Sequence, residues 1–281
     1  MRVLLVPNPA SERSVAAARV VARWLEERTY EPALVTDDAE ACALPTLGVS
    51  RSDLGSPELA VALGGDGTIL KAVHILSGQD VPILGVNLGR LGFLSGAEEA
   101  DLEEALASAL AGEARIERRQ TLQALVDVGG RQAGGYRALN EIFIGRGSGR
   151  VVELDVAVNG VRLWRMVCDG VIVATPTGST AYAMSAGGPL VSPDVRGMVL
   201  VPVAAHTLLA RPVVLGPCDR VEISCPNPAR ADACITVDGD QVPCRQSLDA
   251  VSVWIGDNDV SLVKLDGRGF YEVLAEKILG D

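Results

Sequence analysis

A turn that combines three glycines with one aspartate could bind phosphate and place a carboxylate beside it. Its residues are Gly64, Gly65, Asp66, Gly67 and Thr68. The glycines permit positive φ and close backbone approach, and the helical pattern after Thr68 turns N–H groups toward an anion. Asp66 could accept a proton or hold a metal that bridges phosphate oxygens, which indicates phosphoryl transfer. The residues also fit an ordinary strand-to-helix turn with an N-terminal Asp and a capping Thr.

Phosphate binding at this turn would have to differ from that of the P-loop class. The chain contains no G-x-x-x-x-G-K-[ST] sequence. Lys71, one turn into the helix that follows Thr68, is a further candidate for phosphate, and pointing to water is its other interpretation.

Alternating strand and helix patterns in about the first 115 residues would position this turn. Such alternation predicts an α/β domain with a parallel sheet, whose ligands lie beyond the carboxyl ends of the strands. The predicted strands are Arg2–Val6, Ala33–Val35, Leu59–Leu63 and Val81–Val86, and the predicted helices are Ser14–Glu27, Thr68–Leu76 and Leu102–Leu110.

Short strand-like runs dominate the chain from about Arg118 and predict a second, β-rich domain. The dipeptide Asn159-Gly160 is its strongest hairpin signal, because both residues tolerate positive φ. Phe270–Leu279 has a helical pattern. These patterns give an α/β domain over 1–117, a β-rich domain over 118–265, and a helical tail over 266–281 that could return to the first domain.

Composition narrows the class of ligand and the compartment. A formal net charge of -11 over 281 residues disfavours a broad nucleic-acid or anionic-membrane surface, but allows a local pocket for a small phosphorylated ligand. No apolar run approaches a membrane span or a signal peptide, and the six cysteines form no C-x-x-C pair, so we expect a cytoplasmic protein without disulfides. Two histidines exclude a histidine-rich metal site.

Two sets of polar residues adjoin strand patterns in the second half of the chain. Asn140-Glu141 pairs an amide with an acceptor carboxylate, which suits adenine edges and ribose hydroxyls, although a polar strand edge fits equally. The segment from Thr175 to Tyr182 carries four aliphatic hydroxyl groups, a glycine and an aromatic ring. It offers many donors to a ligand, or it is a polar connection capped by Ser179 or Thr180.

Taken together, these motifs resemble the NAD kinase family. Four of them occur in the family's order, with further similarity at His206–Pro212 and Val237-Asp238-Gly239, so the resemblance covers nearly the whole chain. Diacylglycerol kinases, sphingosine kinases and phosphofructokinases resemble this chain in the glycine–aspartate motif alone. The other motifs distinguish the NAD kinase family from them. The four motifs are Gly64–Thr68, Asn87–Leu94, Asn140-Glu141 and Asp169–Tyr182.

The resemblance implies a Rossmann-like α/β domain, a β-sandwich-like domain, and phosphorylation of the 2′-hydroxyl of the adenosine ribose of NAD to give NADP. Asp66 would be the catalytic base. It further implies ATP or polyphosphate as phosphoryl donor, Mg²⁺ or another divalent cation, and a homodimer or homotetramer. The remaining residues implied to bind the substrates are Gly64, Gly65, Gly67, Thr68, Lys71, Asn140, Glu141, Asp169, Thr180, Ala181, Tyr182, Ser185 and Gln241.

One departure from the family pattern concerns the last of these residues. The family often has Asp-Gly-Gln, whereas this chain has Asp238-Gly239-Asp240-Gln241. The additional Asp240 leaves open whether Asp240 or Gln241 faces the ligand.

Two other functions are compatible with parts of the chain. A lipid kinase of the diacylglycerol type would need an apolar acyl-binding surface, and Asn140-Glu141 and Thr175–Tyr182 argue against it. A non-catalytic dinucleotide sensor would keep the binding residues but would not need Asp66.

Overall fold

The computed structural model describes residues 1–89, 92–147, 149–227, 232–243, 248–265 and 269–279. The chain divides into two compact units, the first formed by Met1–Arg119 with Val260–Asp281 and the second by Gln120–Asp259. The sequence patterns assign residues 260–265 to the second domain. In the structure Val260–Lys264 is instead a strand of the first unit, because it pairs with Ile83–Asn87 there.

The first 119 residues alternate strands with helices. In chain order they are β1 (Arg2–Pro7), α1 (Glu12–Glu27), β2 (Glu31–Val35), α2 (Thr36–Ala41), a 3₁₀ turn (Pro45–Leu47), β3 (Gly48–Val49), β4 (Leu59–Leu63), α3 (Asp66–Leu76), β5 (Ile83–Asn87), β6 (Ala97–Glu98), a 3₁₀ turn (Glu99–Asp101), α4 (Leu102–Ala111) and β7 (Arg115–Arg119).

The remainder of the chain consists mainly of strands. These elements are β8 (Leu122–Val128), β9 (Arg131–Ala138), β10 (Glu141–Arg146), β11 (Val152–Val158), β12 (Val161–Cys168), β13 (Gly170–Ala174), a 3₁₀ turn (Thr177–Thr180), α5 (Tyr182–Ser185), β14 (Met198–Val203), β15 (Val213–Leu215), β16 (Val221–Ser224), β17 (Ala233–Val237), β18 (Asp240–Gln241), β19 (Leu248–Ile255), β20 (Val260–Lys264) and α6 (Phe270–Leu279).

The first unit is built on a mostly parallel sheet, which confirms the predicted α/β fold. Its described strands form one eight-stranded sheet in the order β3-β2-β1-β4-β5-β20-β7, with β6 paired to β5. Only β20 and β7 run antiparallel among these described pairs. All five residues of β4 are buried, as expected for a central parallel strand covered on both faces.

Helix α3 begins two residues earlier than its sequence pattern predicts. Gly65 is the N-cap residue, and the Thr68 backbone N–H donates to the Gly65 carbonyl at 2.9 Å. Asp66 is therefore the first helical residue, directly beyond the carboxyl end of β4. That position gives its carboxylate a favourable interaction with the positive end of the helix dipole.

The second unit consists of two antiparallel sheets, which confirms the β-sandwich-like prediction. Among the described residues, each sheet has six strands, in the orders β15-β14-β13-β10-β17-β18 and β12-β11-β16-β19-β8-β9. Both sheets supply side chains to one core, including Leu122 and Val126 from β8 and Ile142 and Ile144 from β10. The predicted Asn159-Gly160 hairpin is confirmed, with φ of 52° and 76°.

Helix α6 packs within the first unit, where the centre of the Phe270 ring lies 6.0 Å from that of the Phe93 ring.

Within the described part of the chain, no helix combines the length and the apolar character that crossing a membrane requires. The described cysteines form no disulfide.

Candidate functional site

Backbone donors from a second loop hold the Asp66 carboxylate at both oxygens. The Phe93 N–H donates to Oδ2 at 2.9 Å, and the Leu94 N–H donates to Oδ1 at 3.0 Å. Asp66 remains partly exposed. Because each carboxylate oxygen has two lone pairs, both can still accept a proton or hydrogen bond from a ligand. The arrangement fixes a carboxylate in one orientation without using all of its acceptor capacity.

The loop that supplies these donors depends on a glycine and an asparagine. A Cβ at Gly92 would overlap the Asp66 carboxylate, so only glycine allows this close approach. The Asn87 side chain accepts from the Gly89 N–H at 3.1 Å and donates to the Glu98 carboxylate at 3.0 Å. Arg90 and Leu91 of the same motif lie outside the described residues. Within the described part of this motif, Gly92, Phe93 and Leu94 therefore lie against Asp66.

The remaining residues of the glycine turn lie at the same strand end. Gly65 and Gly67 are exposed, and Thr68 is buried with its hydroxyl close to Gly64, where a Cβ would overlap it. The Lys71 ammonium forms an ion pair with the buried Asp38 carboxylate. The turn therefore leaves exposed backbone near Asp66, whereas Lys71 already has an anionic partner.

In the second unit, the Asp238 carboxylate binds the backbone of Asn140-Glu141. Asp238 accepts from the backbone N–H groups of Leu139 at 2.8 Å, Asn140 at 2.7 Å and Glu141 at 3.1 Å. The Asp238 N–H in turn donates to the Glu141 carbonyl at 3.0 Å. Asp238 adopts a φ of 49° in the two-residue turn between β17 and β18, a conformation that Asp tolerates better than most residues.

The Glu141 side chain is buried beside this carboxylate. Burial, followed by the charge of Asp238, raises the pKa of Glu141 to about 7, whereas a hydrogen bond from the Tyr182 backbone lowers it. Oε2 of Glu141 is buried and has no hydrogen-bond partner within the described part of the chain. A buried acceptor of this kind fits a hydroxyl donor from a ligand.

Replacing Glu141 with glutamine should change how stability depends on pH. Because the pKa of Glu141 is raised in the folded state, the folded protein binds more protons than the unfolded chain between about pH 4.5 and pH 7. The contribution of Glu141 to the free energy of unfolding therefore falls as pH rises through that window. Glu141→Gln should therefore gain about 2 kcal/mol relative to wild type between about pH 5 and pH 8. Urea titrations at both pH values measure this difference.

The matched control for this measurement is Glu153→Gln, which removes an exposed carboxyl from the same unit. An equal pH dependence of wild type and Glu141→Gln would contradict the assignment of the raised pKa to Glu141.

The turn after β13 packs directly against the Asn140-Glu141 backbone. The Thr175 N–H donates to the Asn140 carbonyl at 2.8 Å, and the Thr175 hydroxyl donates to the Leu139 carbonyl at 2.6 Å. A Cβ at Gly178 would overlap the Asn140 carbonyl oxygen. The following residues Thr180 and Ala181 are half-buried and Tyr182 is exposed, with its ring 5.5 Å from that of Phe143.

The remaining predicted binding residues of this unit lie on different elements and at different distances from the Asn140-Glu141 backbone. Asp169 precedes β13, at the end opposite Glu141 in the β10–β13 pair, and forms a 3.2 Å ion pair with Arg146. Ser185 is exposed at the end of α5. Asp240 and Gln241 are both exposed on β18, where consecutive side chains point to opposite faces.

Three residues have structural roles that the sequence prediction did not assign. Gly92 makes room for the Asp66 carboxylate, Asp238 binds the backbone of the Asn140-Glu141 pair, and Lys264 donates to the loop that binds Asp66. The Asp238-Gly239 dipeptide is a recognisable turn signal. No local signal in the sequence singles out Lys264.

Comparison with known proteins identifies a class of kinase in both halves of the chain. Residues 3–114 match the ATP-NAD kinase N-terminal domain family, and residues 139–265 match the ATP-NAD kinase C-terminal domain family. The NAD kinase of Moorella thermoacetica is 37% identical over 278 residues, covering 99% of this chain and 89% of the relative. The NAD kinase of Heliobacterium modesticaldum is 36% identical over 276 residues, covering 98% and 97%.

Solved structures give the same assignment. Yeast NADH kinase complexed with NADH has a TM-score of 0.85 and 26% identity, covering all of this chain and 87% of that one. An NAD kinase from Archaeoglobus fulgidus in complex with ATP has a TM-score of 0.75 and 26% identity, covering 98% and 99%. The chain therefore belongs to the NAD kinase family. These relatives support neither the lipid-kinase nor the sensor alternative.

Proposed function

We propose that this NAD kinase transfers the terminal phosphoryl group of ATP to the 2′-hydroxyl of the adenosine ribose of NAD, giving NADP. The observation that carries the site assignment is the Asp66 carboxylate, fixed by two backbone donors at the start of α3. A carboxylate so oriented can accept the hydroxyl proton as the phosphorus–oxygen bond forms. Because the transition state of phosphoryl transfer is loose, orientation matters more than a strongly shifted pKa.

Residues of the second unit would recognise the dinucleotide. The buried and unpartnered Oε2 of Glu141 suits a ribose hydroxyl, and the Asn140 side chain can donate to and accept from an adenine edge. Thr180, Ala181 and Tyr182 follow in the segment that donates to Glu141, and Ser185 and Asp169 extend the proposed contacts. Gln241 stays a candidate because it is exposed next to the Asp238 turn.

The exposed backbone of Gly65 and Gly67, with Gly64 and Thr68, would bind phosphate at the start of α3. We propose Lys71 for this role only as a secondary contact, because its ammonium is paired with Asp38. A divalent cation such as Mg²⁺ would neutralise the phosphate charge. Such ions keep several waters and bind through one or two carboxylates plus the phosphates of the substrate, a role in which Asp66 fits.

The test is product formation with NAD and with its analogue that lacks the 2′-hydroxyl of the adenosine ribose. With ATP and Mg²⁺, wild type should convert NAD to NADP and leave the analogue unphosphorylated, as measured by mass spectrometry. A parallel reaction with polyphosphate asks whether it also serves as donor. Phosphorylation of the analogue would contradict the acceptor assignment. Binding of NAD without any NADP would instead favour the sensor.

We further propose a cytoplasmic homo-oligomer. Leu208 and Leu209 are 85% and 86% exposed, two adjacent large apolar side chains of the kind that a subunit interface covers. Closed symmetry is the usual arrangement of such assemblies.

A further inference from the structure

A lysine from the end of β20 binds the loop that holds Asp66. The Lys264 ammonium donates to the Leu94 carbonyl at 3.1 Å and to the Ser95 carbonyl. Leu94 also donates its own N–H to Asp66. One residue therefore links the two charged groups, since its N–H binds the carboxylate and its carbonyl binds the ammonium.

Lys264 is largely shielded from solvent and has charges of both signs around it. Its side chain is 17% exposed, and the Glu117 carboxylate of β7 lies 4.0 Å from its Nζ atom. The pKa of Lys264 is lowered to about 8, mainly by burial and also by the charges of Arg119 and Arg115, against the opposing effect of Glu117 and Asp66. Shielding an ammonium from water is costly unless it is bonded, so the carbonyl contacts offset the desolvation of Lys264.

We propose that Lys264 is a positioning residue for the phosphoryl-transfer step, because it fixes the Leu94–Ser95 backbone whose adjacent N–H groups orient the Asp66 carboxylate. The proposal rests on the proposed function, in which Asp66 is the base. Lys264 acts through Leu94 and not on the substrate, so its loss should lower kcat while leaving substrate binding almost intact.

The loop has a second lysine neighbour that provides a matched control. Lys277 of α6 is exposed, and its ammonium lies 4.5 Å from the centre of the Phe93 ring. It approaches the ring and not the carbonyls, and an exposed contact of this kind contributes little. Removing Lys277 therefore tests whether any lysine near the loop has the same effect.

The experiment compares wild type with Lys264→Met, Lys264→Gln and Lys277→Met in the full chain. With NAD, ATP and Mg²⁺, Lys264→Met should lower kcat by about 10- to 100-fold, with both KM values within about 2-fold of wild type. Lys264→Gln keeps a donor and should recover part of kcat, and Lys277→Met should stay within about 2-fold. Hydrogen–deuterium exchange of the peptide that covers residues 92–96 should be faster in Lys264→Met alone.

The exchange measurement separates this inference from the proposed function. Wild-type protection at 92–96 with unchanged kcat in Lys264→Met and Lys264→Gln would overturn the positioning role while leaving the kinase assignment in place. A wild type that forms no NADP would overturn the proposed function, and the catalytic part of this inference with it. If Lys264→Met fails to fold, Lys264→Gln and wild type provide the test. A kcat of Lys264→Gln equal to that of wild type, together with rapid exchange of the 92–96 amides in wild type, would overturn the inference.

Discussion

Asp66→Asn should lower the rate of NADP formation by about 10²–10⁴-fold, the range that a positioned general base contributes. The asparagine amide cannot accept the proton of the ribose hydroxyl. It also places a donor –NH₂ group where Asp66 has an acceptor, opposite the N–H of either Phe93 or Leu94. The substitution thus removes the base and disturbs the contacts that orient it.

Single-turnover measurements with saturating NAD and ATP check this expectation, since they report the chemical step and not product release. NAD binding, measured by calorimetry, should change much less than the rate, because the proposed dinucleotide contacts lie in the second unit. Asp37→Asn is the matched control, since Asp37 is an exposed carboxylate of the same unit. Turnover in Asp66→Asn equal to that of wild type would exclude Asp66 as the base. Another group would then have to accept the proton of the ribose hydroxyl.

The sequence predicted the elements around Asp66 because the signals there are local. Buried Leu59–Leu63 and the glycines after it define a strand end within ten residues. What holds the carboxylate could not be predicted in the same way. The Phe93 and Leu94 donors lie in another loop, and their approach depends on how β4 and β5 pair in the sheet. Because every residue except proline has a backbone N–H donor, residue type does not reveal which donors bind Asp66.

The placement of β20 shows the same limitation for the fold. Val260–Lys264 contains three apolar residues, a serine and a lysine, and this pattern fits either a sandwich strand or a strand of a parallel sheet. Only pairing with β5 and β7 assigns it to the first unit and brings Lys264 to the Leu94 carbonyl. The strand β9 was not predicted because Arg131–Ala138 is polar and contains two glycines, so its pairing with β8 outweighs its intrinsic preferences.

Asp238 in the second unit has the other large expected effect. Its carboxylate accepts three consecutive backbone N–H groups, and two of the residues that donate them, Leu139 and Glu141, are buried. Asp238→Ala would leave these donors without their acceptor, at a cost of about 1–3 kcal/mol for each buried one. It would also place alanine at a φ of 49°, which most residues avoid. The Asn140-Glu141 backbone should lose its fixed position.

We therefore expect Asp238→Ala to raise the KM for NAD by about 10- to 100-fold and to lower the midpoint of thermal unfolding. Asp238→Asn should be milder, because asparagine tolerates the same φ and keeps one acceptor oxygen. It should also lower the pKa of Glu141 below about 7, since the charge of Asp238 is one of the two causes that raise it. Steady-state kinetics with varied NAD and thermal melts measure both effects.

The KM for NAD distinguishes a role of Asp238 in the dinucleotide site from a role in folding alone. If Asp238 only supports the hairpin, Asp238→Ala should lower the unfolding midpoint while the KM for NAD in the folded fraction stays at the wild-type value. If it positions the pair, the KM for NAD should rise and the KM for ATP should remain within about 2-fold, because the proposed phosphate contacts belong to the first unit. Asp194→Asn, an exposed carboxylate of the second unit, is the matched control and should alter neither KM.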